Sequence, residues 1–186
     1  MIFTKTKLDG AYIVDVEMLH DVRGFFARTW CSNEVAAFGL NGNVVQINTT
    51  LSEKKGTLRG LHYQLSPYQE VKLVRCTRGA LYDVIIDLRP QSPTYRQWLG
   101  VELTADNRRM LYVPEGFAHG SQSLTNDTEL CYQTSQFYAP AFARGVRFDD
   151  PTFQIEWPLD VQVISDADKN WPTYLECEAT LQETRK

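Results

Sequence analysis

Short runs of apolar residues separated by polar turns recur along most of the chain, a pattern typical of β-strands. Leu99, Val101 and Leu103 occupy every second position of residues 98–103, which predicts a strand with one buried face. Further strands are predicted at residues 57–64, 109–113, 121–124 and 129–138. The turn Thr77-Arg78-Gly79 lies between two runs rich in Val, Ile and Leu, and it predicts a hairpin of residues 71–76 and 81–88.

Signals for helices are sparse. Ser32 through Phe38 predicts a short helix, with Ser32 as its N-cap and Gly39 just past its end. The chain after Asp160 is expected to form loop and helix. Because the strands follow one another without an internal repeat or linker, we expect one domain spanning residues 1–186. The periodicity leaves three all-β architectures open, namely a sandwich, an up-and-down barrel and a double-sheet jelly roll.

The composition narrows the classes of function. The chain has 186 residues and a formal net charge of -4, and its pI is near 5.4. This balance disfavours nonspecific binding to nucleic acid or membranes, because both usually require a basic surface. Residues 1–7 lack the apolar centre of a secretory signal, and no apolar run has the length of a membrane span. We therefore expect a cytoplasmic protein.

The sequence lacks the usual motifs for metals and cofactors. The four cysteines are far apart and form no Cys-x-x-Cys pair, so we expect reduced thiols rather than a zinc or redox site. Metal binding is also disfavoured because His62 stands apart from the other histidines. No glycine-rich phosphate loop is present, and no cofactor is expected. The cysteines are Cys31, Cys76, Cys131 and Cys177.

The segment from Thr57 to Gln64 carries the most informative chemistry. It places His62 in a predicted strand together with Arg59, and Lys72 follows closely in the chain. A titratable base beside fixed cations suits proton abstraction from an anionic substrate. The alternative interpretation is a structural histidine that is satisfied by hydrogen bonds in a half-buried strand. Strict alternation places Arg59 and His62 on opposite faces of the strand.

Several ordered motifs, spread from about residue 21 to residue 168, resemble the dTDP-4-dehydrorhamnose 3,5-epimerase family. The resemblance implies an all-β, cupin-like double-sheet jelly roll with short helices at the periphery and the C-terminus. It also implies a homodimer without metal or cofactor, in which the N-terminal strand can be exchanged between subunits. The motifs lie at residues 58–64, 72–75, 83–89, 92–94, 114–120, 149–151 and 157–158.

The resemblance also implies roles for individual residues in the reaction. His62 is expected to be the base, and Asp168 is expected to orient its ring, with Asp166 as the alternative. Tyr132 matches the general acid of the family. Lys72 is expected to polarise the C4 carbonyl of the sugar as negative charge develops on its oxygen. This set suits proton removal next to a ketone, which needs a base, an acid on the opposite face and a group that stabilises the enolate.

Further residues resemble contacts of the family with the nucleotide sugar. Arg59 and His119 correspond to residues that line the site on the pyrophosphate side, and Arg23 corresponds to a phosphate contact offered across the dimer. A guanidinium group fits a diphosphate bidentately. Gly60 is expected to allow a bulge or bend between Arg59 and His62. The remaining correspondences are an amide pair, Gln46 and Asn48, and two aromatic residues that could stack on the ligand, Phe25 and Tyr138.

The expected function follows from these correspondences. It is inversion at C3 and C5 of dTDP-4-dehydro-6-deoxyglucose through an enolate, giving dTDP-4-dehydrorhamnose. Arg28 stands where the family commonly has a carboxylate that helps to recognise thymine, so the nucleotide base stays open. Alternatives are inversion at C3 alone on another nucleotide 4-keto sugar, and a non-catalytic jelly roll that binds sugar. A metal-dependent cupin is a further alternative, which the sparse histidines disfavour.

Overall fold

The computed structural model describes residues 1–176, which consist mainly of antiparallel strands. Helices are short: α1 covers Ser32–Ala37, α2 covers Asp166–Lys169, and a 3₁₀ turn covers Pro140–Phe142. Cys177 and the end of the predicted tail lie outside the described residues. The strands are β1 (Ile2–Lys5), β2 (Tyr12–Asp15), β3 (Leu19–Asp21), β4 (Gly24–Phe26), β5 (Gln46–Ser52), β6 (Leu58–Gln64), β7 (Lys72–Arg78), β8 (Ala80–Asp87), β9 (Trp98–Thr104), β10 (Met110–Val113), β11 (Phe117–Ser123), β12 (Thr128–Thr134) and β13 (Ala143–Gly145).

Two antiparallel sheets build the body of the fold. The six-stranded sheet has the order β1-β2-β10-β7-β12-β5, and the five-stranded sheet has the order β13-β6-β11-β8-β9. A separate hairpin is formed by β3 and β4. The architecture is a cupin-type double-sheet jelly roll with short peripheral helices, which confirms the predicted fold class. In the described chain β1 pairs with β2 of the same molecule, and strand exchange between subunits stays a prediction.

The main core lies where the inner faces of the two sheets meet. Val74 of β7 packs there with Leu81 and Ile85 of β8, and Leu103 of β9 joins them, in agreement with the alternation predicted for residues 98–103. Separate apolar clusters cover the outer face of each sheet. No helix among residues 1–176 has the length and apolar character needed to cross a membrane.

The hairpin predicted from the turn Thr77-Arg78-Gly79 is wrong. Strand β7 pairs with β10 and β12, whereas β8 pairs with β11 and β9, so the two strands belong to different sheets. The reason is that both strands have an apolar inner face and bury it against each other across the core. Gly79 has a φ of +74° and allows the chain to cross from one sheet to the other.

Three predicted element boundaries are also corrected. The strand predicted at residues 121–124 is β11, which begins at Phe117 and ends at Ser123. The N-cap of α1 is Cys31, not Ser32, and no side chain caps this helix. Gly39 follows the helix as predicted, with a φ of +69°. The strand predicted at residues 129–138 ends at Thr134, so Tyr138 lies in the loop that follows β12.

A bulge in β6 brings Arg59 and His62 to the same side of the strand. His62 pairs with His119 and Arg59 pairs with Ser121, so β6 has one residue more than β11 between these pairs. Gly60 lies in the bulge with a φ of +101°, and a Cβ atom there would be 2.7 Å from the backbone of β11. The exception to strict alternation that the resemblance implied is thereby confirmed, and it directs both side chains into one pocket.

Candidate active site

A pocket with two lobes opens between the two sheets and is closed on one side by the segment that contains α2. The first lobe has a volume of about 410 Å³ and the second a volume of about 680 Å³. Residues shared by both lobes mark their junction. They are His62, Lys72, Tyr132, Ser165 and Asp168, so the four residues predicted to carry the reaction are brought together at this junction.

His62 projects into the pocket from β6 and is held by Asp168 of α2. Its Nε2 atom lies 2.5 Å from Oδ1 of Asp168, and half of the imidazole side chain is exposed. An imidazole that donates its Nε2 proton to a carboxylate keeps its lone pair on Nδ1. Nδ1 is therefore the atom of His62 that is suited to accept a proton.

Asp168 is buried and receives several hydrogen bonds. The backbone N–H of Gly60 donates to Oδ2 at 3.1 Å, and the indole N–H of Trp171 donates to Oδ1 at 3.4 Å. Burial raises the pKa of this carboxyl, but the hydrogen bonds from His62, Gly60 and Trp171 and the charge of His62 together outweigh burial, and the net pKa lies below the usual value. Asp168 is thus ionised at neutral pH.

Local helix capping places Asp168 rather than Asp166 against His62. Ser165 is the N-cap of α2, and its hydroxyl accepts a hydrogen bond of 3.1 Å from the backbone N–H of Asp168. Asp166 is exposed on the opposite side of this short helix. Of the two aspartates left open by the sequence, Asp168 is the partner of His62.

Tyr132 lies across the pocket from His62, on β12 of the six-stranded sheet. Burial raises the pKa of its phenol, the carboxylate of Glu70 raises it further, and the guanidinium of Arg59 partly opposes them. The phenol is therefore protonated at neutral pH and has a proton to donate. The imidazole of His62 and the phenol of Tyr132 come from different sheets, so they approach the space between them from opposite sides.

Lys72 begins β7, an interior strand between β10 and β12. Its side chain is 9% exposed, and its ammonium group forms an ion pair with the carboxylate of Glu70. Lys72 is therefore neither a solvated residue nor part of an edge strand. Thr134 of β12 is the register partner of Lys72, which makes Lys72 and Tyr132 diagonal neighbours on one face of the sheet.

Arg59 and His119 line the first lobe. The guanidinium group of Arg59 donates to Oγ of Ser52 at 3.1 Å and to the carbonyl of Leu51 at 2.8 Å. Both acceptors are neutral, so the positive charge of Arg59 faces the pocket without being neutralised by them. His119 contacts the fully buried Asp83, with 2.8 Å between Nε2 and Oδ1.

The second lobe is lined by the predicted amide pair and by one of the two predicted aromatic residues. Gln46 and Asn48 project into it from β5, and Tyr138 reaches it from the loop after β12. Tyr138 as a whole residue is 68% exposed. Amides and an accessible aromatic ring at a pocket rim are suited to hydrogen bonding and stacking on a planar ligand.

Arg23 and Phe25 do not line either lobe in the described chain. Both lie on the β3–β4 hairpin, where Arg23 is highly exposed and pairs with Asp21 at 2.5 Å. The guanidinium of Arg108 lies over the ring of Phe25, 4.6 Å from its centroid. Arg28 lies just beyond the hairpin and pairs with Glu34 at 2.6 Å.

Sequence reasoning assigned no role to three residues of this site. Asp83 interrupts the apolar run of β8, and a carboxylate inside such a run signals a buried partner. Glu70 stands two residues before Lys72, the spacing that puts both side chains on one face of an extended chain. Trp171, whose ring centroid lies 6.4 Å from that of His62, had no comparable signal. Residues 1–176 contain no group of three or more His, Cys, Asp or Glu side chains placed to hold a metal ion.

The chain is similar to known proteins over most of its length. A family model described as dTDP-4-dehydrorhamnose 3,5-epimerase matches residues 5–176. A protein of that name from Methanothermobacter thermautotrophicus is 42% identical over 182 residues, which cover 93% of this chain and 97% of the relative. The family model thus spans every residue of the pocket.

Solved structures give the same result. The crystal structure of dTDP-4-dehydrorhamnose 3,5-epimerase from Bacillus anthracis, with TDP and PPi bound, is 37% identical with a TM-score of 0.89, covering 92% of this chain and 98% of that one. A 3'-monoepimerase from Streptomyces bikiniensis, in complex with dTDP-quinovose, is 34% identical with a TM-score of 0.86, covering 94% and 89%. With sequence and fold matched over nearly the whole length, the chain belongs to the dTDP-4-dehydrorhamnose 3,5-epimerase family.

Proposed function

We propose that the protein is a cofactor-independent epimerase that inverts C3 and C5 of dTDP-4-dehydro-6-deoxyglucose to give dTDP-4-dehydrorhamnose. One observation carries the proposal: His62 and Tyr132 stand on opposite walls of one pocket, with Lys72 beside Tyr132. Membership of the family supports the substrate class, and the Bacillus anthracis relative holds TDP and PPi.

The chemistry at each carbon begins with proton removal. Nδ1 of His62 takes the proton from the carbon next to the C4 ketone, and the electron pair of the broken C–H bond is delocalised onto the C4 oxygen. The ionised Asp168 stabilises the imidazolium that forms. Lys72 stabilises the developing negative charge on the oxygen, where a compact ammonium group is effective.

The reaction is completed from the opposite face. The phenol of Tyr132 gives its proton to the carbon, so the O–H bond breaks as a C–H bond of inverted configuration forms. Exchange with solvent then removes the proton from His62 and restores the proton of Tyr132. The opposition of the two groups across the pocket supports inversion rather than return of the proton to the original face.

The remaining pocket residues are proposed to bind the nucleotide part of the substrate. Arg59, whose charge faces the first lobe, is suited to the diphosphate. His119, fixed by Asp83, lines the same lobe as Arg59. The second lobe offers the amides of Gln46 and Asn48 for hydrogen bonds to the sugar or base, and the ring of Tyr138 for stacking.

We also propose a cytoplasmic homodimer whose subunits each form one epimerase domain. Exposed apolar side chains on and beside the β3–β4 hairpin, such as Val22 and Phe26, support an intersubunit contact. In such a dimer Arg23 and Phe25 would serve the pocket of the partner subunit. The core shared by both sheets supports one domain, and the free thiols of Cys31, Cys76 and Cys131 suit a reducing compartment.

Solvent exchange followed by NMR tests the function directly. The protein is incubated in deuterated water with dTDP-4-keto-6-deoxyglucose, and separately with the GDP, CDP and UDP counterparts. The expected result is deuterium at C3 and C5 of the dTDP sugar together with formation of the inverted product. Binding without deuterium incorporation at either carbon would identify a non-catalytic sugar-binding protein instead.

Inversion at C3 alone is a second candidate. It is favoured by the 34% identical 3'-monoepimerase, whose fold matches with a TM-score of 0.86. The same experiment separates the two functions, because a C3 epimerase incorporates deuterium at C3 while C5 keeps its proton and configuration. Exchange on the GDP, CDP or UDP substrate but not on the dTDP substrate would show that the enzyme prefers a base other than thymine. Arg28, at the position of the family's carboxylate, would then accompany this change of preference.

A further inference from the structure

Glu70 and Lys72 form an ion pair within the pocket, although Glu70 has no part in the reaction steps above. Glu70 directly precedes β7, and Val71 between the two residues packs into the apolar cluster on the outer face of the sheet. The two charged side chains therefore both point inward. Both are largely buried, with exposed side-chain fractions of 14% for Glu70 and 9% for Lys72.

Three carboxylates of this region each contact one basic side chain. Asp168 contacts His62, and Asp83 contacts His119. Glu70 is the carboxylate that contacts Lys72. A buried ammonium group on a flexible four-carbon chain needs a counter-charge both to stay buried and to hold one position.

We infer that Glu70 is a positioning residue that holds the ammonium group of Lys72 where the C4 oxygen of the substrate becomes negative. This inference rests on the proposed function. An ammonium group has three N–H donors. One of them meets the carboxylate of Glu70, and this fixed contact leaves the others to point toward the substrate oxygen.

The charge of Glu70 has a second effect, on the opposed acid. The carboxylate raises the pKa of the Tyr132 phenol, after burial as the larger cause. Removing the charge therefore lowers the pH at which Tyr132 loses its proton. The charged or titratable groups that line the pocket with Tyr132 come from both sheets and from the segments beside them. They are Glu70, Lys72 and Tyr138 on the side of Tyr132, and Arg59, His62, Tyr63, His119, Arg144 and Asp168 across the pocket.

The test compares Glu70→Gln, which keeps the shape and removes the charge, with Glu70→Asp, which keeps the charge. Glu102→Gln, an exposed site on β9, is the matched control. Turnover of dTDP-4-keto-6-deoxyglucose is measured across pH. For Glu70→Gln we expect kcat to fall by about 10-fold or more with little change in KM. This loss is a part of the roughly 10²- to 10³-fold fall in kcat that follows complete removal of an oxyanion-stabilising donor.

The pH profile and a double variant exclude a purely structural role. The alkaline limb of kcat moves to lower pH in Glu70→Gln, stays in place in Glu70→Asp, and is unchanged in the control. In a Lys72→Met background, Glu70→Gln causes little further loss of kcat, because the group that it positions is already gone. The Lys72→Met background also serves if Glu70→Gln alone does not fold, since the double variant buries neither charge.

Either of two results would overturn the inference. One is a Glu70→Gln enzyme with the kcat and pH profile of the wild type. The other is a further loss of kcat of about 10-fold when Glu70→Gln is added to Lys72→Met. Such a loss would mean that Glu70 acts independently of Lys72. Deuterium exchange measured in the wild type and in Glu102→Gln shows whether the proposed function holds, independently of the role of Glu70. A wild type without exchange would overturn both.

Discussion

The Nε2 atom of His62 lies 2.5 Å from Oδ1 of Asp168, although 106 residues separate them in the chain. The contact joins β6 of the five-stranded sheet to α2, which follows the last strand. Because the contact occupies Nε2, Nδ1 is the ring nitrogen that is suited to accept a proton. The orientation of the His62 ring is therefore a property of the folded chain.

Replacement of His62 by Asn removes the base. Turnover is expected to fall by at least the roughly 10²- to 10⁴-fold typical of a positioned proton transfer. Deuterium incorporation at C3 and C5 should fall with it, since no group remains to take the proton. Steady-state kinetics and NMR measure the two effects, and circular dichroism checks that the fold is kept. Near-normal turnover in His62→Asn would show that another residue is the base.

Replacement of Tyr132 by Phe separates exchange from inversion. His62 can still remove a proton and return one to the same face, so solvent exchange should survive while net inversion falls sharply. Proton NMR in deuterated water measures both rates on one sample. Tyr68→Phe, outside the pocket, is the control. If Tyr132→Phe inverts normally, the acid is a different residue, and Tyr138 is the next candidate.

Replacement of Lys72 by Met should lower kcat more than it raises KM. The ammonium charge meets an oxyanion that develops along the reaction, so its loss weakens the transition state more than the bound ground state. The exposed Lys55→Met is the matched control. A rise in KM at unchanged kcat would instead identify Lys72 as a residue that binds the ground state.

Replacement of Asp168 by Asn tests the carboxylate that holds His62. Its pKa is lowered in the folded protein, so its ionised form stabilises the fold above the unfolded pKa of about 3.9 and loses this effect as pH falls through the folded pKa. We expect Asp168→Asn to be less stable than the wild type at pH 7 in urea unfolding, with a gap that narrows toward pH 3. Asp166→Asn, exposed on the same helix, should behave as the wild type. A gap that is constant across this pH range would contradict the assignment.

Mixing two impaired variants tests whether Arg23 serves the partner subunit. An Arg23→Ala subunit keeps His62, and a His62→Asn subunit keeps Arg23, so a mixed dimer assembles one complete site. Equal mixing should restore about a quarter of the wild-type activity in a two-fold symmetric dimer. Co-refolding the two proteins and assaying the mixture measures this. Activity that stays at the average of the two separate variants would place Arg23 in the site of its own chain, or outside the site.

The sequence by itself located strands β6 to β12 and showed which residue types are available for proton transfer. Alternation in residues 98–103 predicted β9 because an amphipathic strand must bury one face, and that signal is local. Several ordered motifs, including the one around His62, carried the family resemblance. With it came the jelly roll and the set of His62, Lys72, Tyr132 and Asp168. These inferences depend on residue identity and spacing along the chain.

The tertiary structure decided which strands pair and which charges meet. The sequence predicts a hairpin of strands β7 and β8. Their apolar faces are instead buried against each other, and this assigns the two strands to opposite sheets. The choice of Asp168 over Asp166 depends on how the N-cap Ser165 orients α2. The contact of Asp83 with His119 spans 36 residues and follows from the pairing of β8 with β11. Such contacts escape local patterns because burial and register, which bring the partners together, are set by the whole fold.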